Sequence, residues 1–140
     1  MSVKGPIILV DDDREDREIT HEAIKKLDLP NKVICFPNGK EALDYLKTTT
    51  DNPFIIFSDI DMPVLNGLQF RNEINKNERL RKKSIPFVFL TSTVTKSTVD
   101  LAYELTVQGF FTKLHSFEEL QAQLSLVLEY WKTARHPNSI

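Results

Sequence analysis

Acidic, hydroxyl-bearing and basic residues recur just after short apolar runs in this 140-residue chain. Ile7–Val10 is followed by Asp11, Asp12 and Asp13, and Phe54–Phe57 leads to Asp59 and, two residues on, Asp61. Phe87–Leu90 leads to Thr91, Ser92 and Thr93, and the pair Phe110 and Phe111 leads to Lys113. Carboxylates crowded together repel and resist ionising together unless a cation joins them. Oxygen-only ligands with open positions favour Mg2+, which binds through one or two carboxylates and keeps several waters. A divalent cation beside a carboxylate suits phosphoryl transfer, because it neutralises charge on the moving group. In that chemistry Asp59 attacks phosphorus and Asp11 and Asp12 hold the metal. The Thr91 hydroxyl and the Lys113 ammonium then grip phosphoryl oxygens.

Taken one at a time, each of these residues has a plainer role. Asp11, Asp12 and Asp13 suit the positive end of a helix dipole. Asp61-Met62-Pro63 with Asn66-Gly67 makes a turn. A hydroxyl after a strand caps a helix more often than it does chemistry, and a single lysine is usually solvated. Only their joint occurrence at four strand ends points to a site.

The elements that must position them follow from apolar periodicity. The three four-residue runs are too short for core helices, and their Ile, Val and Phe content reads as strands buried on both faces. Lys32–Phe36 and Gly109–Thr112 are two weaker strands. Between them the apolar period lengthens to that of helices. Ile19, Ala23, Ile24 and Leu27 share one face, as do Ala42, Leu43 and Leu46. Leu68, Phe70 and Ile74 form a less regular third helix beginning beside Gly67. Val99, Ala102, Tyr103 and Thr106 mark a fourth, and Phe117, Leu120, Leu124, Val127, Leu128 and Trp131 a fifth, capped by Ser116. The basic stretch Lys76, Arg79, Arg81, Lys82 and Lys83 reads as a solvated loop. Strand and helix therefore alternate five times, which implies parallel strands, right-handed crossovers and helices on both faces of one sheet. In such an open α/β sheet ligands bind beyond the carboxyl ends of the strands, where all the residues above fall.

Composition narrows the function classes. With 41% hydrophobic and 27% charged residues the chain has the makings of one globular domain. Its 18 basic and 20 acidic residues, a net charge of −2, exclude binding to nucleic acid or an anionic membrane through bulk charge. A membrane span needs about 20 apolar residues, and no run here exceeds four. Cys35 is the single cysteine, so no internal disulfide forms, and no Cys/His spacing suggests zinc. A cytoplasmic protein is expected, with a short tail over 133–140 and no output domain.

IILVDDD, FIIFSDIDMPVLNG, FVFLTS and GFFTK resemble, in order and at suitable spacing, the four signatures of two-component response-regulator receiver domains, and the resemblance covers about residues 5–132. It implies a doubly wound, five-stranded parallel sheet of the flavodoxin-like type in the order 2-1-3-4-5, an order the residues alone do not supply. It also implies roles. Asp59 would accept a phosphoryl group from a phosphohistidine on a sensor histidine kinase or a histidine phosphotransfer protein. Asp12 would bind Mg2+ directly, Asp11 largely through water, Asp61 through its backbone carbonyl, and Asp59 would complete the metal ligands. Thr91 would bond the phosphoryl group and move toward it, Lys113 would ion-pair with it, and the ring of Phe110 would turn inward behind the threonine. The altered surface on the fourth helix, fifth strand and fifth helix would then meet a downstream protein target.

One departure concerns Leu114, which stands where receivers usually carry a proline joined to the lysine by a cis bond. A non-proline cis bond costs about 2.5–4 kcal/mol, so a trans bond and a rearranged loop are expected. A finer resemblance rests on ERLRKKSIPFVFLTST, LAYELTVQGFFTK and EYW, which are similar to stand-alone receivers that partner phytochrome-type histidine kinases. Some of those dimerise through C-terminal elements, making Phe110, Phe111, Tyr130 and Trp131 candidate contacts; packing on the chain's own core is the equal alternative. A rival reading remains for FIIFSDIDMP, which also resembles the D-x-D start of haloacid-dehalogenase-type phosphatases, with Asp59 as nucleophile and Asp61 as general acid. A receiver-shaped scaffold without phosphorylation is the third.

Overall fold

The computed structural model describes residues 2–92 and 94–135; Met1, Thr93 and residues 136–140 lie outside them. Five strands form one sheet: β1 (Ile7–Val10), β2 (Val33–Phe36), β3 (Ile55–Ser58), β4 (Phe87–Thr91) and β5 (Gly109–Thr112). Among the described residues six helices accompany them: α1 (Arg14–Lys25), α2 (Gly39–Thr48), α3 (Gly67–Lys76), α4 (Glu78–Lys83), α5 (Lys96–Glu104) and α6 (Phe117–Thr133). All neighbouring strands pair in parallel, in the order β2-β1-β3-β4-β5 that the receiver resemblance implied.

Every residue of β1, β3 and β4 is buried, because helices cover both faces and leave no solvent side for alternation to mark. The pleat divides these residues between two cores. Ile7, Leu9, Ile55, Phe57, Val88 and Leu90 pack with α1 and α6 on one face. Ile8, Val10, Ile56, Phe87 and Phe89 pack with α2, α3 and α5 on the other. The edge strands are shallower: β2 is half-buried, and β5 runs from buried Gly109 to exposed Thr112. Register aligns the carboxyl ends. Val10 lies beside both Phe36 and Ser58, and Thr91 lies beside Thr112, so the residues that follow emerge on one rim.

Three expectations are corrected. The basic stretch is not a loop: Glu78–Lys83 is helix α4, started by the Asn77 side chain accepting from Leu80 N at 3.1 Å and ended by Ser84 in the left-handed region. Leu80 pins it to the core, and Arg79 donates to the Leu46 and Lys47 carbonyls at 3.0 and 2.5 Å, capping the end of α2. Ile19 is 41% exposed, with Thr20 occupying the buried place beside Ala23 and Ile24. Tyr103 is 52% exposed, and of α5 only Ala102 is fully buried, because this helix covers the margin of the sheet rather than its centre.

Candidate functional site

Strand pairing continues one residue past β1 and β3 and thereby fixes two carboxylates. Asp11 N donates to Phe36 O at 3.1 Å, and Asp59 N donates to Val10 O at 2.9 Å. The three consecutive acids then divide their work. Asp13 turns back to cap α1, accepting from Asp16 N at 3.1 Å, which is the plainer role considered for all three. Asp11 is 2% exposed; its Oδ1 accepts from Asp13 N at 3.0 Å and its Oδ2 from Lys113 Nζ at 2.8 Å. Asp59 Oδ1 accepts from Ile60 N at 2.7 Å. One carboxylate oxygen each from Asp11, Asp12 and Asp59 lies within 4.8 Å of the others, and burial falls from Asp11 through half-buried Asp59 to exposed Asp12. The donors are all hard oxygens and the cluster opens to solvent on one side, which fits a small divalent cation that keeps part of its water shell.

Lys113 arrives from the far side of the sheet. Its backbone N–H donates to Thr91 O at 2.9 Å, continuing the β4–β5 pairing. No cis peptide bond occurs among the described residues, so Lys113–Leu114 is trans, as expected, and the ammonium nonetheless reaches Asp11. Burial pushes the Asp11 carboxyl above its ordinary range, a shift Asp59 reinforces and the Lys113 bond only partly opposes. Burial also disfavours the Lys113 ammonium, but the hydrogen bond it donates to Asp11 and the charges of Asp11, Asp59 and Asp16 outweigh it and raise its pKa.

Two participants escaped the sequence reading. Asp16 Oδ2 lies 3.6 Å from Lys113 Nζ, and Arg17 Nη1 donates to Asp11 O at 2.7 Å. Both sit in the first turns of α1, directly under the β1 rim; their signal was the spacing of five and six residues from Asp11, which seats them there only once the helix start is known.

The remaining predicted residues fall around this rim. Thr91 ends β4 fully buried. Phe110 is half-buried, its ring 6.0 Å from that of Phe89. Asp61 is exposed, and the carboxylate cluster comprises Asp11, Asp12 and Asp59, without the Asp61 side chain. The loop from Asp59 to Gly67 is tight. Leu65 N donates to Pro63 O at 2.7 Å around Val64, which has φ of 70°. Asn66 and Gln69 form a reciprocal cap at the start of α3. A Cβ on Gly67 would run into the Asp59 carbonyl and lie 2.8 Å from the Phe89 ring, so this position requires glycine for close approach. His115 is exposed and, with Asp16, Thr20, Ser92 and Lys113, lines a small cavity of about 190 Å3.

A parallel sheet whose carboxylates meet a lysine at its carboxyl rim defines a receiver-type α/β domain. The chain belongs to the response regulator receiver domain family, whose profile matches residues 7–125. It is 30% identical over 129 residues to the probable methanogenesis regulatory protein FilR2 of Methanothrix harundinacea, covering 89% of this chain and 82% of that protein. Among solved structures it resembles the phosphorylated cyanobacterial phytochrome response regulator RcpA, with a TM-score of 0.85, 26% identity, and coverage of 96% of this chain and 98% of that one. It is likewise similar to the Mn2+-bound form of response regulator Rcp1, a protein of Synechocystis, with a TM-score of 0.79, 25% identity and coverage of 95% and 97%. The protein is therefore a receiver domain related to phytochrome response regulators, in a family that signals within two-component systems.

Proposed function

We propose that Asp59 accepts a phosphoryl group from a phosphohistidine on a sensor histidine kinase, of phytochrome type, or on a histidine phosphotransfer protein. The observation that carries this reading is the convergence of the Asp11, Asp12 and Asp59 carboxylates beside Lys113. An Asp59 oxygen forms the new bond to phosphorus as the phosphorus–nitrogen bond breaks, and the imidazole leaves with that electron pair. Asp12, Asp59, the Asp61 backbone carbonyl and, largely through water, Asp11 would hold Mg2+. The ion, when bound, neutralises charge on the transferring group. Lys113 exchanges part of its pairing with Asp11 for the phosphoryl oxygens, and the Thr91 hydroxyl donates to another. Phe110 follows Thr91 inward, and the surface of α5, β5 and α6 changes for a downstream protein target in the cytoplasm. Exposed Leu126 and Tyr130, beside Phe111 and Trp131, form an apolar groove that a second copy of the chain would cover.

Intact-mass spectrometry after incubation with acetyl phosphate and Mg2+ tests the acceptor. One phosphoryl adduct is expected on the native chain and none on Asp59→Asn; an adduct that survives the substitution, or none on the native chain, refutes the reading. Steady turnover of excess p-nitrophenyl phosphate would instead favour the phosphatase chemistry. Sedimentation before and after phosphorylation checks the pairing of copies.

A further inference from the structure

The amino edge of the sheet carries a second concavity, far from Asp59. The segments entering β4 and β5, the later turns of α3, and the end of α6 enclose about 620 Å3. Arg71, Arg81 and Arg135 line it together with Ser84 and Trp131, and no aspartate or glutamate lines it among the described residues.

This charge differs from that of five basic side chains that are paired along their own helices. Arg14, Lys40, Lys76, Lys82 and Lys96 each pair with a carboxylate three or four residues away on the same helix. Among the described residues none of the three arginines in the cavity is ion-paired. Arg71 is the most constrained. Only 7% exposed, it donates from Nε to Leu105 O at 3.0 Å and from Nη2 to Thr106 O at 3.0 Å, and it stacks 5.2 Å above the centre of the Phe87 ring. Carbonyl dipoles hold its guanidinium in place without cancelling its charge, and burial lowers its pKa to about 10, still charged at neutral pH. Arg81 and Arg135 are exposed at the rim, where Arg81 Nη1 makes a long 3.4 Å bond to Asn75 O that an anion can replace.

Guanidinium groups present paired donors that match phosphate oxygens, and they retain charge where lysine would lose it. An indole at the same rim offers a flat apolar face for a ring to stack on. The volume lies within the range of about 300–1,000 Å3 that holds small organic ligands. We propose that this cavity binds an aromatic organic phosphate of nucleotide size, its phosphate on Arg81 and Arg135 over the fixed Arg71 and its ring against Trp131. The site is independent of the chemistry at Asp59.

Trp131 is the only tryptophan in the sequence and lines both this cavity and the apolar groove on α6, so its fluorescence is read at a fixed protein concentration with sedimentation run alongside. The full chain, in EDTA to remove any metal route to the acidic rim, is titrated with adenosine and guanosine 5′-monophosphate and with inorganic phosphate. Calorimetry repeats each titration without optical absorption by the base. Saturable quenching by a nucleotide is expected, weakened roughly tenfold or more in Arg81→Glu and Arg135→Glu, and unchanged in Asp59→Asn. Both arginines are on the surface, and circular dichroism confirms that their variants are folded. The absence of saturable binding by every probe overturns the proposal, as does equal binding in the charge-reversed variants or loss of binding in Asp59→Asn. Equal affinity for inorganic phosphate and both nucleotides overturns the part played by the ring.

Discussion

The two edges of the sheet carry opposite charge. At the carboxyl edge three carboxylates gather and one of them, Asp11, pairs with a lysine; at the amino edge three arginines line a cavity to which no described carboxylate contributes. The whole-chain balance of −2 conceals both. Parallel strands cause the separation, since every loop leaving a strand gathers on one rim and every loop entering a strand on the other. Net charge therefore excludes bulk electrostatic binding and says nothing about local sites. The edges also differ in how charge is buried. Lys113 is held by opposite charge, whereas Arg71 is held by backbone carbonyls and a ring.

The sharpest way to break this contrast is to remove the cation from the acidic edge. Lys113→Met leaves Asp11 buried without its partner, and equilibrium urea unfolding is expected to lose about 3–5 kcal/mol. In the native chain the lysine's contribution is complete below its ordinary value of 10.5 and fades as pH rises through the higher folded value. Unfolding of native and Lys113→Met chains should therefore converge toward strongly alkaline pH. Next in size is the ion itself. Magnesium at about a hundred times its dissociation constant should raise stability by about 2.7 kcal/mol, with the gain shrinking in Asp12→Asn; thermal melts with and without EDTA measure both. The amino edge is tested by Arg71→Met, which keeps the volume but strips donors from Leu105 O and Thr106 O. A loss of about 1.5–3 kcal/mol is expected for bonds made by a charged group, with no effect on magnesium binding. The smallest effect has the opposite sign. Val64 holds φ of 70° in an exposed loop, so Val64→Gly should relieve about 1 kcal/mol of strain, seen as a higher midpoint in the same melts.

Much of the acidic edge was legible because strand-end carboxylates, Thr91 and Lys113 all follow apolar runs too short to be anything but strands. The order of the strands was not: it came with the family resemblance, since periodicity describes elements and not their neighbours. Helix α4 was hidden because six residues with Leu80 as the sole anchor show no period, and four basic side chains look solvated. Ile19 and Tyr103 were assigned inward because a period gives the direction of a face but not how wide a cover meets it. The amino edge left almost no trace. Arginine is ordinarily exposed, and nothing near Arg71 in sequence announces that carbonyls from residues 105 and 106 will enclose it.

That enclosure has a mechanical consequence for α5. Its far end is moored to α3, where Arg71 and Asn75 both donate to Leu105 O, while along its length only Ala102 is fully sunk in the core. A rod fastened at one tip and loosely seated elsewhere swings rather than slides. If Thr91 moves as proposed, the displacement of α5 is expected to be largest at Lys96 and smallest at Leu105, which hydrogen exchange along the helix would read.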